Sequence, residues 1–307
     1  MVAPAERAPA RIALGTAQWG MAYGIANATG PPPRDELEAL LAVARRAGID
    51  TLDTARAYGE SEARIGELCG ADPHFQIATK LAPDVDAGAT LPECLARVDA
   101  SLEASRRALR REALDLLLLH RAHHRTALDG ALFEHLRRRQ AEGWVRALGA
   151  SAASPAEAFT LLEDPALEVI QVAASLLDRR LLEAGFFARA AALGRRVLVR
   201  SVFLQGVAHL AVEALPAALS GLARPLRLLD DWARARGLRR ADAFLLYARE
   251  CLTVPLVLGC ETAGQLCRNL VAWRSLEAPA AELHELAARL GPAGGELLDP
   301  SRWSAGA

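Results

Sequence analysis

Several things are missing from this 307-residue chain, and each absence removes a class of protein. No apolar run is long enough to cross a bilayer, so no membrane partner is expected. The first ten residues, MVAPAERAPA, lack the apolar stretch of a secretory leader and are expected to form a loose tail over 1–10. The five cysteines (Cys69, Cys94, Cys251, Cys260, Cys267) are odd in number, scattered, and form no C-x-x-C pair. That argues against a disulfide framework and for a reduced, cytoplasmic setting. Lysine and arginine (36) balance aspartate and glutamate (37), and no long basic run exists, so nucleic acid is not an expected partner. No G-x-G-x-x-G follows an early strand, and no Pro/Gly/Ser-rich linker divides the chain.

What is present is a rhythm. Short apolar runs recur at 11–19, 48–55, 75–81, 113–120, 145–151, 169–175, 196–203 and 254–260. Most are apolar on both faces, as parallel strands covered on both sides must be. Between them lie helical patterns. Leu37, Leu40, Leu41 and Ala44 keep helical spacing before Gly48, and Leu95, Val98 and Leu102 follow a capping box at Thr90-Leu-Pro-Glu93 with proline at the first helical position. Asp129 is the expected cap of a helix carrying Leu132, Phe133 and Leu136, with Gly143 as its stop. Ser154-Pro-Ala-Glu157 and Thr262-Ala-Gly-Gln265 are further capping boxes. Eight strand–helix units in a chain of this length predict a (β/α)8 barrel as one domain over 11–307. The stretch 206–225 is the longest without a clear place in the pattern and is expected to be an extended loop and helix after strand seven; a C-terminal tail begins at about 276.

In such a barrel the strand C-termini and the loops after them carry the chemistry. Asp53 ends strand two within LDTARAYG and Tyr58 follows it; Lys80 ends strand three; His120 ends strand four. A carboxylate at the end of a buried strand needs a partner, because an unpaired buried charge is costly. An ammonium close to a phenol favours its phenolate form. The four groups on neighbouring strands therefore fit a general acid, Tyr58, tuned by Lys80 and Asp53, with His120 donating a hydrogen bond to a substrate oxygen. Taken singly each has an ordinary reading: Asp53 a cap, Tyr58 packing, Lys80 surface, His120 a core histidine.

The motifs LGTAQWG (14–20), LDTARAYGESEARIG (52–66), IATKL (77–81), LDLLLLHR (114–121), VRALGAS (145–151), VIQV (169–172) and GCETAGQLCRN (259–269) together resemble an aldo-keto reductase, over 11–275. LGTAQWGMAYGIAN and RSVFLQG are similar to a bacterial branch associated with sugar or polysaccharide metabolism. The resemblance implies nicotinamide-dependent reduction of an aldehyde or ketone, with Asp53, Tyr58, Lys80 and His120 as the catalytic tetrad and a polar, sugar-like substrate. It also implies that Ser151 and Gln171 hold the nicotinamide carboxamide, although the asparagine expected after the serine is Ala152. Arg200 stands where many members stack an aromatic ring; Ser201 and the loop to Gly206 would follow the pyrophosphate, and Gly15 and Thr16 would line the cofactor site. Gly259, Glu261, Thr262, Gln265 and Asn269 would meet the adenosine phosphate, with the helix capped by Thr262 offering its N-terminus to phosphate. Arg268 on helical spacing need not face the ligand, and Glu261 would repel a 2′-phosphate, so the reading leans to NAD(H) over NADP(H). Trp19 and Tyr23 are candidate substrate-pocket residues, Cys260 lacks an activating neighbour, and Trp303 can fold back over the barrel.

Three other readings remain open: a cofactor-binding barrel serving as sensor or partner subunit, a redox-neutral enzyme with tightly held cofactor, and a metal-dependent hydrolase. His120, His123 and His124 have H-x-x-H spacing, but His120 ends a strand and no acidic cluster accompanies them in sequence, so no metal is expected.

Overall fold

A computed structural model describes residues 12–303; the expected tail at 1–10 and the first residue of the opening apolar run lie outside them. The eight strands are β1 (Ile12–Gly15), β2 (Thr51–Asp53), β3 (Gln76–Lys80), β4 (Leu116–Leu119), β5 (Leu148–Ser151), β6 (Val169–Ala173), β7 (Arg196–Arg200) and β8 (Leu256–Gly259). They pair in parallel and in chain order, and β8 closes on β1 with Ile12 opposite Leu256 and Gly15 opposite Gly259. Each strand lies inside one of the eight apolar runs.

The alternation of side chains explains why the runs are apolar throughout. In β4, Leu116 and Leu118 fill the barrel interior with Ala78 and Val169, while Leu117 and Leu119 join the larger core between sheet and helices. Both faces are covered, so neither admits a polar period. Around the barrel, helices Arg34–Arg46, Ser61–Cys69 and Leu91–Leu109 follow the first three strands, and Ala131–Ala141, Pro155–Leu162 and Phe186–Ala192 the next three. The 206–225 stretch becomes short 3-10 turns leading into helix Ala223–Arg234; helix Arg240–Tyr247 then precedes β8.

The caps differ in detail from their sequence expectations. Pro92 is the second residue of helix Leu91–Leu109, while the backbone N–H of Thr90 donates to the Glu93 carboxylate at 2.8 Å as a capping box requires. Gly130, not Asp129, is the N-cap of helix Ala131–Ala141; it takes φ +82°, which glycine adopts without penalty. Ser154 accepts from the Glu157 N–H, but Glu157 reaches back to the N–H of Ala153 rather than to that of Ser154.

After β8 comes helix Ala263–Ser275, then helix Ala280–Leu290 and two short turns. This C-terminal part docks through Arg179, which donates to the Gly291 carbonyl, and through the Trp232 indole, which donates to Glu282. Trp303 does fold back, packing half-buried against the core.

Candidate active site

Asp53 and Lys80 are the last residues of adjacent strands, and both are buried. The Lys80 ammonium donates to both Asp53 carboxylate oxygens, at 3.0 and 2.9 Å, and to the Thr54 carbonyl at 2.8 Å. Its three protons are thus all used, as a buried ammonium demands. Burial alone would press Lys80 toward its neutral form; Asp53 and Tyr58 more than offset this and leave its pKa raised. Asp53 is also held by the Gln171 amide, which donates at 2.7 Å.

Tyr58 is half-buried in the loop after β2, its ring centroid 5.0 Å from the Lys80 nitrogen. Two features fix that loop. Arg56 pairs with Glu62, a buried carboxylate that also accepts from the Thr79 hydroxyl at 2.6 Å and so ties the loop to β3. On the other side Gly20 abuts the Tyr58–Ser61 turn so closely that a Cβ there would sit 1.9 Å from the Tyr58 carbonyl oxygen; only a hydrogen fits.

His120 directly follows β4, its ring 6.2 Å from that of Tyr58 and nearly perpendicular to it. Its Nδ1 is buried and has no partner. Burial, then the charges of Lys80, Arg121 and Arg200, push its pKa down to about 4, so the imidazole is neutral at neutral pH. A depressed pKa makes a stability prediction. Unfolded His120 binds a proton below about 6.5, whereas the folded residue resists until about 4. Its contribution is complete above pH 6.5 and is lost as pH falls to 4. Urea unfolding of wild type and His120→Gln between pH 7 and 4 is expected to show wild type losing more stability over that window, with a constant difference above it. Parallel curves throughout would mean that the site does not hold His120 neutral.

A cleft of about 280 Å³ opens beside this group. Asp53 and Tyr58 line it, as do Gly15, Thr16, Tyr23, Arg200, Ser201, Gly206, Gly259, Glu261, Gln265 and Asn269. Burial foremost raises the Tyr23 pKa. Trp19 does not line the cleft; the helical turn Ala17–Gly20 carries it into the core, where it is fully buried, so it is no pocket residue. Ser151 and Gln171 are buried and do not line the cleft; Gln171 is fully buried and its carbonyl oxygen has no partner. Arg200 crosses above them and donates to the Ala152 carbonyl at 2.9 Å. Burial pushes the Cys260 thiol up to about 12, and Asn269 rests on its sulfur, so the thiol stays protonated.

The loop after β7 carries Ser201, Leu204 and Gln205 at positive φ (63°, 46°, 50°). Each such non-glycine residue costs roughly 1 kcal/mol or more, strain that is characteristic of ligand-holding segments. The Gln205 carbonyl accepts from the Ile25 N–H at 2.9 Å, joining this loop to the one after β1.

Two sequence expectations change here. The N-terminus of helix Ala263–Ser275 is not open to phosphate through the amides its cap was expected to present: Glu36 accepts from the Ala263 N–H, Thr262 from the Gln265 N–H, and the Gln265 side chain from the Glu261 N–H. Arg268, expected to be free to point elsewhere, lines the cleft, and Arg239 and His209 join it from the β7–β8 connection. No spacing signal marks Arg239 or His209, because a loop and the start of a helix bring them to β8.

The family model described as the aldo/keto reductase family matches residues 11–288. The chain belongs to that family. It is an NAD(P)H-dependent oxidoreductase with the family's (β/α)8 barrel. No curated protein matches it in sequence. Among solved structures it is similar to an aldo-keto reductase from Bacillus halodurans in its holo form (21% identity, TM-score 0.73, 92% of this chain and 93% of that one). It is also similar to the glycerol dehydrogenase of Gluconobacter oxydans (21%, 0.72, 96% of each). A third similar structure is an aldo/keto reductase from Klebsiella pneumoniae in complex with NADP and acetate (20%, 0.67, 92% of each).

Proposed function

We propose that this reductase acts on a small polar, sugar-like aldehyde or ketone, with Tyr58 as the proton donor. The observation that carries the reading is the buried Asp53–Lys80 pair set against the ring of a tyrosine that faces the cleft. Tyr58 gives its phenolic proton to the carbonyl oxygen, and the fixed positive charge of Lys80 stabilises the phenolate left behind. Asp53 keeps Lys80 charged and in place. His120, held neutral, donates one N–H to the same carbonyl oxygen and orients it. In the reverse direction Tyr58 takes the proton back from an alcohol. The nicotinamide, when bound, supplies or accepts the hydride.

The cleft suits such a cofactor. Gln171, bonded to the cleft-lining Asp53, keeps a buried, unpartnered carbonyl oxygen, with Ser151 opposite it on the neighbouring strand. Backbone of the strained Ser201–Gly206 loop lines the middle. At the far end Glu261 has only the neutral Gln265 amide as side-chain partner, at 3.4 Å, whereas Arg268 lines the same cleft with no carboxylate partner among the described residues and offers a cation to a 2′-phosphate. These features favour NADP(H) over the NAD(H) that Glu261 alone suggested.

The test is quenching of the five tryptophans by NADPH and NADH, in wild type and Arg268→Ala. NADPH is expected to bind wild type more tightly, and Arg268→Ala to weaken NADPH about tenfold while leaving NADH unchanged, the size of one charge-assisted contact. Equal loss for both cofactors would remove Arg268 from the 2′ site. No quenching by either, in folded protein free of retained nucleotide, would overturn the redox reading in favour of a sensor or partner subunit.

A further inference from the structure

The histidine-rich turn after β4 is not absorbed by this chemistry. His120 belongs to the active site, but His123 and His124 turn away from it on the 3-10 turn Ala122–Arg125. Sequence spacing gives these histidines no acidic companion. The fold supplies one: Asp86, from the loop that follows β3. His123 Nε2 lies 3.0 Å from one Asp86 oxygen and His124 Nε2 lies 3.3 Å from the other. The three donor atoms all fall within 4.8 Å of one another.

We propose that Asp86, His123 and His124 bind a transition-metal dication of the zinc type, which clasps the β3 loop to the β4 loop beside the active site.

Three observations support this. First, the separations fit. Donors bound at about 2.0–2.1 Å around a tetrahedral ion stand roughly 3.3 Å apart, and the two separations, 3.0 and 3.3 Å to different oxygens of Asp86, are at that value or slightly inside it. Second, the donor set is selective: two imidazoles and one carboxylate suit Zn2+, Co2+, Ni2+ or Cu2+, whereas Mg2+ and Ca2+ prefer all-oxygen sites. Third, one ligand is preorganised. His124 is completely buried with Nε2 directed at Asp86, so its imidazole cannot rotate away into water. No arginine or lysine pairs with Asp86 among the described ion pairs; the nearby Arg121 donates through Nε to the Pro83 carbonyl. His123 has a side chain 56% exposed, so the remaining coordination position faces solvent and can hold a water. With three protein ligands and an open position, the site resembles catalytic metal sites in form more than closed structural ones.

The experiment is equilibrium dialysis of the tag-free enzyme against Zn2+, with Co2+ absorption as a second readout. Wild type is expected to retain one equivalent of Zn2+ and to give visible Co2+ d–d bands that Zn2+ abolishes. His123→Ala and Asp86→Asn, which keep the buried His124 and the fold, are each expected to weaken retention at least about tenfold, the scale on which metal sites respond to lost partners. His284→Ala, on the distant C-terminal helix, is expected to change nothing. Three results overturn the proposal. If wild type retains no metal, the cluster is a hydrogen-bonded clasp only. If retention is the same in both cluster variants, or is lost with His284→Ala, the metal is bound elsewhere.

Discussion

Tyr58→Phe is expected to lower kcat for carbonyl reduction by about 10²–10⁴-fold, the usual worth of a positioned general acid. The backbone that abuts Gly20 is unchanged and the ring beside the Lys80 ammonium is kept, so only the transferable proton goes. Cofactor quenching is therefore expected to match wild type, and so is the urea midpoint. Steady-state assays on a panel of small hydroxy-aldehydes and ketones, run beside the quench titration, make the comparison. A Phe variant with near-normal kcat would remove Tyr58 as the acid and leave His120 as the remaining donor near the carbonyl. Loss of both turnover and cofactor binding would mean that the loop had collapsed, and the mechanism would then have to be tested through His120 instead.

The barrel was legible because its strands obey one strong rule. A strand covered on both faces reads as a continuous apolar run, and Leu116–Leu119 is such a run, serving the interior and the helix layer by turns. Asp53 and Lys80 stood out because each breaks the run at the strand end that the fold uses for chemistry. Caps were legible where both members lie within one turn, as at Thr90–Glu93. They failed where the backbone itself decides, as at Gly130, whose left-handed conformation displaces Asp129 from the cap. Trp19 was misplaced because a single helical turn after β1, too short to show periodicity, rotates it inward. The distal cleft was hidden for a different reason. Glu36 reaches Ala263, Asp86 reaches His123, and Arg239 reaches the cleft across gaps in sequence that only the closed barrel brings together, and no local pattern encodes such meetings.

The second large effect concerns Lys80. Lys80→Met is expected to cost about 3–5 kcal/mol of stability, because it leaves the Asp53 carboxylate buried without its cation. The raised pKa of Lys80 keeps its ammonium charged from neutrality up to about 10.5, so the loss should be full at neutral and at mildly alkaline pH alike. Asp53 keeps one remaining side-chain support, the Gln171 amide, and that does not replace an ammonium making three hydrogen bonds. The informative partner is the double variant Asp53→Asn, Lys80→Met. Removing both charges removes the penalty of an orphaned one, and replacing a buried ion pair by neutral groups is often close to neutral for stability. The double variant is therefore expected to recover most of the urea stability while its kcat stays as low as that of Lys80→Met. That split separates the two roles of the pair. On that outcome the carboxylate and ammonium need each other to be buried at all, but only the ammonium beside Tyr58 is needed by the chemistry. If the double variant regained turnover along with stability, the charge of Lys80 would be a packing device, and the acid at position 58 would work without it.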